Sequence, residues 1–139
     1  MSLLLFLATL LVGPAPQSVT LTVTTTGAQR GDLHLAVYAN AADYAARKTI
    51  ASGVKPYDAD EVVFDVKLPA SGDYVVSGYH DVNGNGKLDF NVFGIPKEPY
   101  GFVNPPASKW KAPEFSEIST RVDGGGLRAT LSMRKWSEF

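Results

Sequence analysis

Oxygen-bearing side chains fall at alternate positions in DVNGNGKLD, residues 81–89. Asp81, Asn83, Asn85 and Asp89 stand at loop positions 1, 3, 5 and 9, with Gly86 at 6 and the Lys87 carbonyl at 7. That is the spacing of an EF-hand-type calcium loop, in which a hard cation collects six to eight oxygens around a tight glycine bend. Position 12 is Val92, so the bidentate carboxylate must come from elsewhere. Glu98 is the candidate, and Asn91 offers a further oxygen. With two carboxylates in the loop, the expected cofactor is calcium held weakly, with a dissociation constant on the order of 10⁻⁴ M. The same letters also spell a plain turn. Asn-Gly occurs twice, both residues accept positive φ, and Asp81 and Asn83 can cap their own backbone.

A second kind of chemistry lies just downstream. Residues 91–117 hold Pro96, Pro99, Pro105, Pro106 and Pro113 together with Phe93, Ile95, Tyr100, Phe102, Trp110 and Phe115. The prolines oppose helix and ladder, yet the segment is too apolar for a solvated linker. An apolar loop of this length either docks as a lid on the fold or forms a binding surface. Tyr100, Phe102 and Trp110 are the candidate contacts for a protein or glycan partner.

Catalysis has little to stand on. His80 beside Asp81 suggests a hydrolase, but neighbours on a strand point to opposite faces. GxSxG, HExxH and glycine-rich phosphate loops do not occur. His34 and His80 read as surface or packing residues, and no catalytic residue is assigned.

The elements that must position these residues are strands. Val19, Leu21 and Val23 alternate with threonines, and Leu33, Leu35, Val37 and Ala39 alternate after the GAQRGD turn. Residues 62–68 and 74–81 continue the pattern, with Gly78 marking a bulge or a close backbone approach. A short, irregular strand fits between residues 49 and 61. Residues 117–122 and 127–133 flank DGGG as a terminal hairpin. Residues 40–48 form the one helix-like piece, capped by Asn40 or Asp43. About seven short strands with turn signals define an all-β, antiparallel β-sandwich of immunoglobulin or transthyretin type, with a small closed barrel as the alternative.

The chain has 139 residues, enough for one domain, and 45% are hydrophobic. A formal net charge of −1 with dispersed cations argues against a nucleic-acid surface and supplies no polybasic membrane anchor. There is no cysteine, which excludes disulfides and thiolate metal sites. The apolar run at residues 3–12 is too short to span a bilayer comfortably and suits the core of a signal peptide. Residues 1–17 are therefore read as a removable export signal, and 18–139 as the domain. The expected destination is the periplasm or the extracellular space, with no membrane span remaining.

The stretch GYHDVNGNGKLDFNVFGIPKEPYGFVN resembles the signature of the DUF2141 family, small exported bacterial proteins without an assigned function. The motifs that carry the resemblance are His80-Asp81, residues 83–89, Gly94 to Glu98 and Tyr100 to Phe102, with residues 112–118 as a weaker echo. Val82 departs from an acidic position and Val103 from a serine. The resemblance implies an exported β-rich domain and supplies no catalytic residue. Three functions remain in competition: a non-enzymatic module whose calcium loop orders a binding loop, a metal-free structural or assembly module of the cell envelope, and a hydrolase.

Overall fold

The computed structural model describes residues 14–139. The apolar run at residues 3–12 lies outside the described residues. Pro14, Ala15 and Pro16 are exposed, and the first strand begins at Gln17, one residue before the expected domain start.

Eight strands form two sheets. In chain order they are β1 (Gln17–Thr25), β2 (Asp32–Tyr38), β3 (Ala51–Pro56), β4 (Val62–Leu68), β5 (Gly72–Asp81), β6 (Tyr100–Phe102), β7 (Thr120–Val122) and β8 (Gly126–Met133). Two short helices, α1 (Ala41–Ala45) and α2 (Phe115–Ile118), and a final 3₁₀ turn at Trp136–Glu138 complete the fold. One sheet has the order β4-β1-β8, and the other runs β3-β2-β5-β6, with β7 also paired to β5. The fold is all-β, as the alternation requires.

Two features of strand pairing differ from expectation. β1 and β8 pair in parallel, from Ser18 opposite Gly126 to Thr25 opposite Met133, so the sandwich is not purely antiparallel. The terminal hairpin does not form. β7 pairs with β5, β8 pairs with β1, and a single bridge between Asp123 and Gly126 marks the turn between them. The DGGG turn thus carries the chain from one sheet to the other. Local alternation cannot distinguish these outcomes, because it reports which face of a strand is apolar and not which strand lies beside it.

Alternate residues of each strand meet between the sheets. Val19, Leu21 and Val23 from β1, Leu33, Leu35 and Val37 from β2, Phe64 and Leu68 from β4, Val76 from β5, and Leu131 and Met133 from β8 are buried in one cluster. Burying such side chains contributes about 1.5–3 kcal/mol each before chain entropy is counted. A second, smaller cluster sits on the outer face of the larger sheet. There Tyr38, Val75 and Ile118 are buried against Tyr44, Phe102 and Phe115. The helices form where this outer face needs a cover. α1 starts at Asn40, whose side-chain oxygen accepts the Asp43 N–H at 2.8 Å.

The expected long loop at 91–117 is interrupted by β6 and α2. A three-residue strand has no period to detect, so only its partner reveals it. Gly101 of β6 stands opposite Gly78 of β5, and Gly78 is itself opposite Leu35 in a regular ladder. Gly78 is therefore a close approach and not a bulge. A Cβ there would lie 2.6 Å from Met133 Cε and 2.8 Å from the His34 carbonyl oxygen. The space lets β8 of the smaller sheet reach the larger one, where Tyr100 and Arg134 exchange both backbone hydrogen bonds at 3.0 Å.

Gly78→Ala is expected to overpack this contact and cost about 2–3 kcal/mol. For a domain of this size that lowers the thermal midpoint by roughly 10 °C, readable by circular dichroism.

Candidate functional site

His80 and Asp81 are the last two residues of β5, a central strand, and they turn to opposite faces. His80 enters the core. Its Nε2 donates to the Arg30 carbonyl at 2.7 Å, and its Nδ1 lies 3.1 Å from the Thr25 hydroxyl. With no exposed surface and both ring nitrogens engaged, it is a packing residue. Asp81 faces the other way but is also buried, at 1% exposure. Its Oδ1 accepts the Asn85 N–H at 3.1 Å and its Oδ2 the Gly86 N–H at 2.7 Å. The carboxylate thereby winds residues 81–86 around itself. Gly84 and Gly86 take the left-handed backbone this winding needs, at φ 70° and 80°.

The other polar residues of the loop bond to one another through their amide N–H groups. Asn83 Nδ2 donates to Asp89 at 2.7 Å, and Asn85 Nδ2 reaches both Asp89 oxygens at 2.7 and 2.9 Å. These bonds hold the Asp89 carboxyl below its ordinary pKa, with Asn85 the larger cause. Lys87 donates its backbone N–H to Asn85 Oδ1 at 3.1 Å.

Glu98 is buried beneath the loop. Its Oε2 accepts the Val82 N–H at 2.6 Å and its Oε1 the Asp89 N–H at 3.2 Å. It therefore fastens both ends of the loop through the backbone. Burial raises the Glu98 pKa, with these two bonds opposing it. Asn91 instead builds the next turn. Its side-chain oxygen accepts the Phe93 and Ile95 N–H groups at 2.9 and 3.1 Å. Among the described residues, no three or more His, Cys, Asp or Glu side chains are placed to hold a metal ion. Coordination in this loop would have to draw on the asparagine amides and a backbone carbonyl. A half-turn of each amide exchanges its N–H₂ for such an oxygen.

Sequence reasoning missed His34. Register places it opposite Tyr79, and the two rings stack at 4.6 Å and 7°. His34 Nε2 lies 3.6 Å from Asp81 Oδ2 and has no hydrogen-bond partner. The Tyr79 hydroxyl donates to the Gly86 carbonyl at 3.0 Å, so this stack forms the floor of the loop. Alternation places His34 and Asp81 on their faces but cannot bring them together, since that depends on the β2–β5 register.

The three aromatic candidates do meet. Tyr100, Phe102 and Trp110 line one groove of about 450 Å³, joined by Phe93 and Trp136. Phe102 is mostly committed to the outer-face cluster, whereas Trp110 is 77% exposed. Trp136 comes from the tail and packs edge-on against Trp110 at 4.9 Å. Lys109 Nζ sits 4.0 Å from the Trp136 ring centre and donates to the Trp136 and Phe139 carbonyls, both at 3.2 Å.

The class so defined is a two-sheet β-module with an asparagine-rich loop beside an aromatic groove. Residues 21–130 match the model of the family described as uncharacterized protein conserved in bacteria (DUF2141), and the chain belongs to that family. No curated protein and no solved structure matches it.

A raised carboxyl pKa means that the folded state holds its proton more tightly than the unfolded chain. Stability from Glu98 is then present at low pH and lost as pH rises through the folded value. The window opens above the ordinary 4.5, whereas Asp89 acts in the opposite sense below 3.8. Glu98→Gln should remove the rise in thermal midpoint that the wild type shows on acidification into that upper window. An unchanged profile would assign the effect to another group.

Proposed function

We propose that this chain is an exported, non-enzymatic binding module in which residues 81–89 take up Ca²⁺ weakly. The ion stiffens the adjoining aromatic segment, and that segment's groove is the surface that meets a partner. The observation that carries the reading is the convergence of Asn83 and Asn85 on Asp89, with Asp81 already holding the loop backbone. The coupling has a path: the Lys97 N–H donates to the Asp89 carbonyl at 2.8 Å, and Phe90 bridges to Pro96. A cation at Asp89 thus acts at the base of the segment leading to Tyr100. Export rests on the apolar run at residues 3–12. No helix among the described residues is long and apolar enough to cross a membrane.

A metal-free structural or assembly role is the second reading, and one observation favours it. The loop already satisfies its own hydrogen bonds without an ion. β3 is an edge strand with Val54 exposed, a surface on which another chain's strand can pair.

Thermal unfolding in EGTA and in a few millimolar CaCl₂ separates the two. At about fifty times the dissociation constant, mass action adds roughly 2.3 kcal/mol, a rise of about 5–10 °C for this size. The rise should vanish in Asp89→Ala, and Ca²⁺ should protect residues 91–117 from proteolysis in the wild type alone. No shift with either Ca²⁺ or Mg²⁺ leaves the loop as a turn.

A further inference from the structure

Phe90 and Pro96 bridge to form a hairpin whose tip is Asn91, Val92, Phe93 and Gly94. The tip is internally tied: Asn91 N–H donates to the Ile95 carbonyl at 2.9 Å, Gly94 N–H to the Asn91 carbonyl at 3.0 Å, and the Asn91 side chain holds two further N–H groups. On this fixed turn Val92 is 94% exposed and Phe93 84% exposed. Trp110 lines the same groove as Phe93 and is 77% exposed. These are the most exposed large apolar side chains among the described residues.

The charged side chains that line the groove and its neighbour share one sign. Lys109 and Lys111 line the groove, Arg134 lines the adjoining one, and no Asp or Glu among the described residues lines either. Lys97 follows Pro96 at the hairpin base. The nearest acid in sequence, Asp89, is engaged by two asparagine amides. The fold brings Arg134 to the same pair of grooves as Lys109 and Lys111, from which it is distant in sequence.

We propose that this hairpin and groove dock peripherally on an anionic lipid surface, with Val92 and Phe93 entering the headgroup–acyl boundary and the exposed Lys97 and Lys111 facing lipid phosphates. The docking does not require the calcium reading. A membrane suits the shape better than a folded partner does. The most exposed apolar groups sit on a convex tip, which needs a matching pocket in a protein but none in a lipid interface. Trp110 is of the type that settles at that interface, and nearby lysines add attraction to anionic headgroups. A glycan fits less well, because no Asp, Asn, Glu or Gln lines the groove to bind hydroxyls.

The chain carries its own probe, since both tryptophans, Trp110 and Trp136, lie at the groove. Tryptophan emission and co-sedimentation should be followed with phosphatidylcholine vesicles and with vesicles also containing phosphatidylglycerol, in EGTA and in CaCl₂. The expected result is a blue shift and binding to the anionic vesicles that added salt weakens. Val92→Glu/Phe93→Glu should abolish binding with an unchanged thermal midpoint, since both side chains are solvent-exposed. Lys97→Glu/Lys111→Glu should weaken it by about tenfold or more. Absence of binding in both buffers would overturn the proposal, as would binding that the tip variant leaves intact or equal binding to neutral vesicles. Capture of a glutamate-rich peptide without vesicle binding would instead make the occupant an acidic protein. A calcium-dependent midpoint with no vesicle binding sinks only this inference; vesicle binding with no calcium response sinks only the metal loop.

Discussion

Gly78 and Gly101 face each other across β5 and β6, and the end of β8 passes over the space their missing side chains leave. Much else follows from that approach. It lets Tyr100 and Arg134 pair between the two sheets, which fixes β6. β6 in turn anchors one end of the hairpin and one wall of the aromatic groove. Packing at native density leaves no slack for a methyl group at such a crossing. The smaller sheet, the larger sheet and the groove are therefore held in a single arrangement.

Asp81 plays the corresponding part for the loop. A buried carboxylate is costly unless its oxygens are occupied, and here two backbone N–H groups and the neighbouring His34 ring surround it. Glu98 closes the other side through Val82 and Asp89. The loop is consequently shaped by two acids that act on backbone, while the asparagines and Asp89 are left to act on one another. This division explains why the loop is well formed by itself and yet keeps oxygens within a half-turn of one another.

The aromatics of the proline-rich segment separate into two groups. Phe102 and Phe115 pack on the outer sheet face with Ile118, doing the work of a lid. Phe93 and Trp110 remain in solvent around the groove. Lid and surface were alternatives at the level of sequence, and the fold uses different residues for each. Composition cannot make that assignment, because Phe102 and Phe93 are the same residue type in similar surroundings along the chain.

The sequence by itself determined the all-β class, most strand positions, the inward faces of β1, β2, β4 and β8, a capped helical turn near residue 40 and the tight turn from Asp81 to Asp89. All of these depend on residues within a few positions of each other, where period and turn chemistry act directly. Only the tertiary structure decided the parallel β1–β8 pair, the crossing at DGGG, the strand hidden at Tyr100, the His34–Asp81 contact, the backbone role of Glu98 and the meeting of Trp110 with Trp136. Each of these joins residues far apart in the chain, and which strand lies beside which is set by packing of the whole core, not by any local pattern.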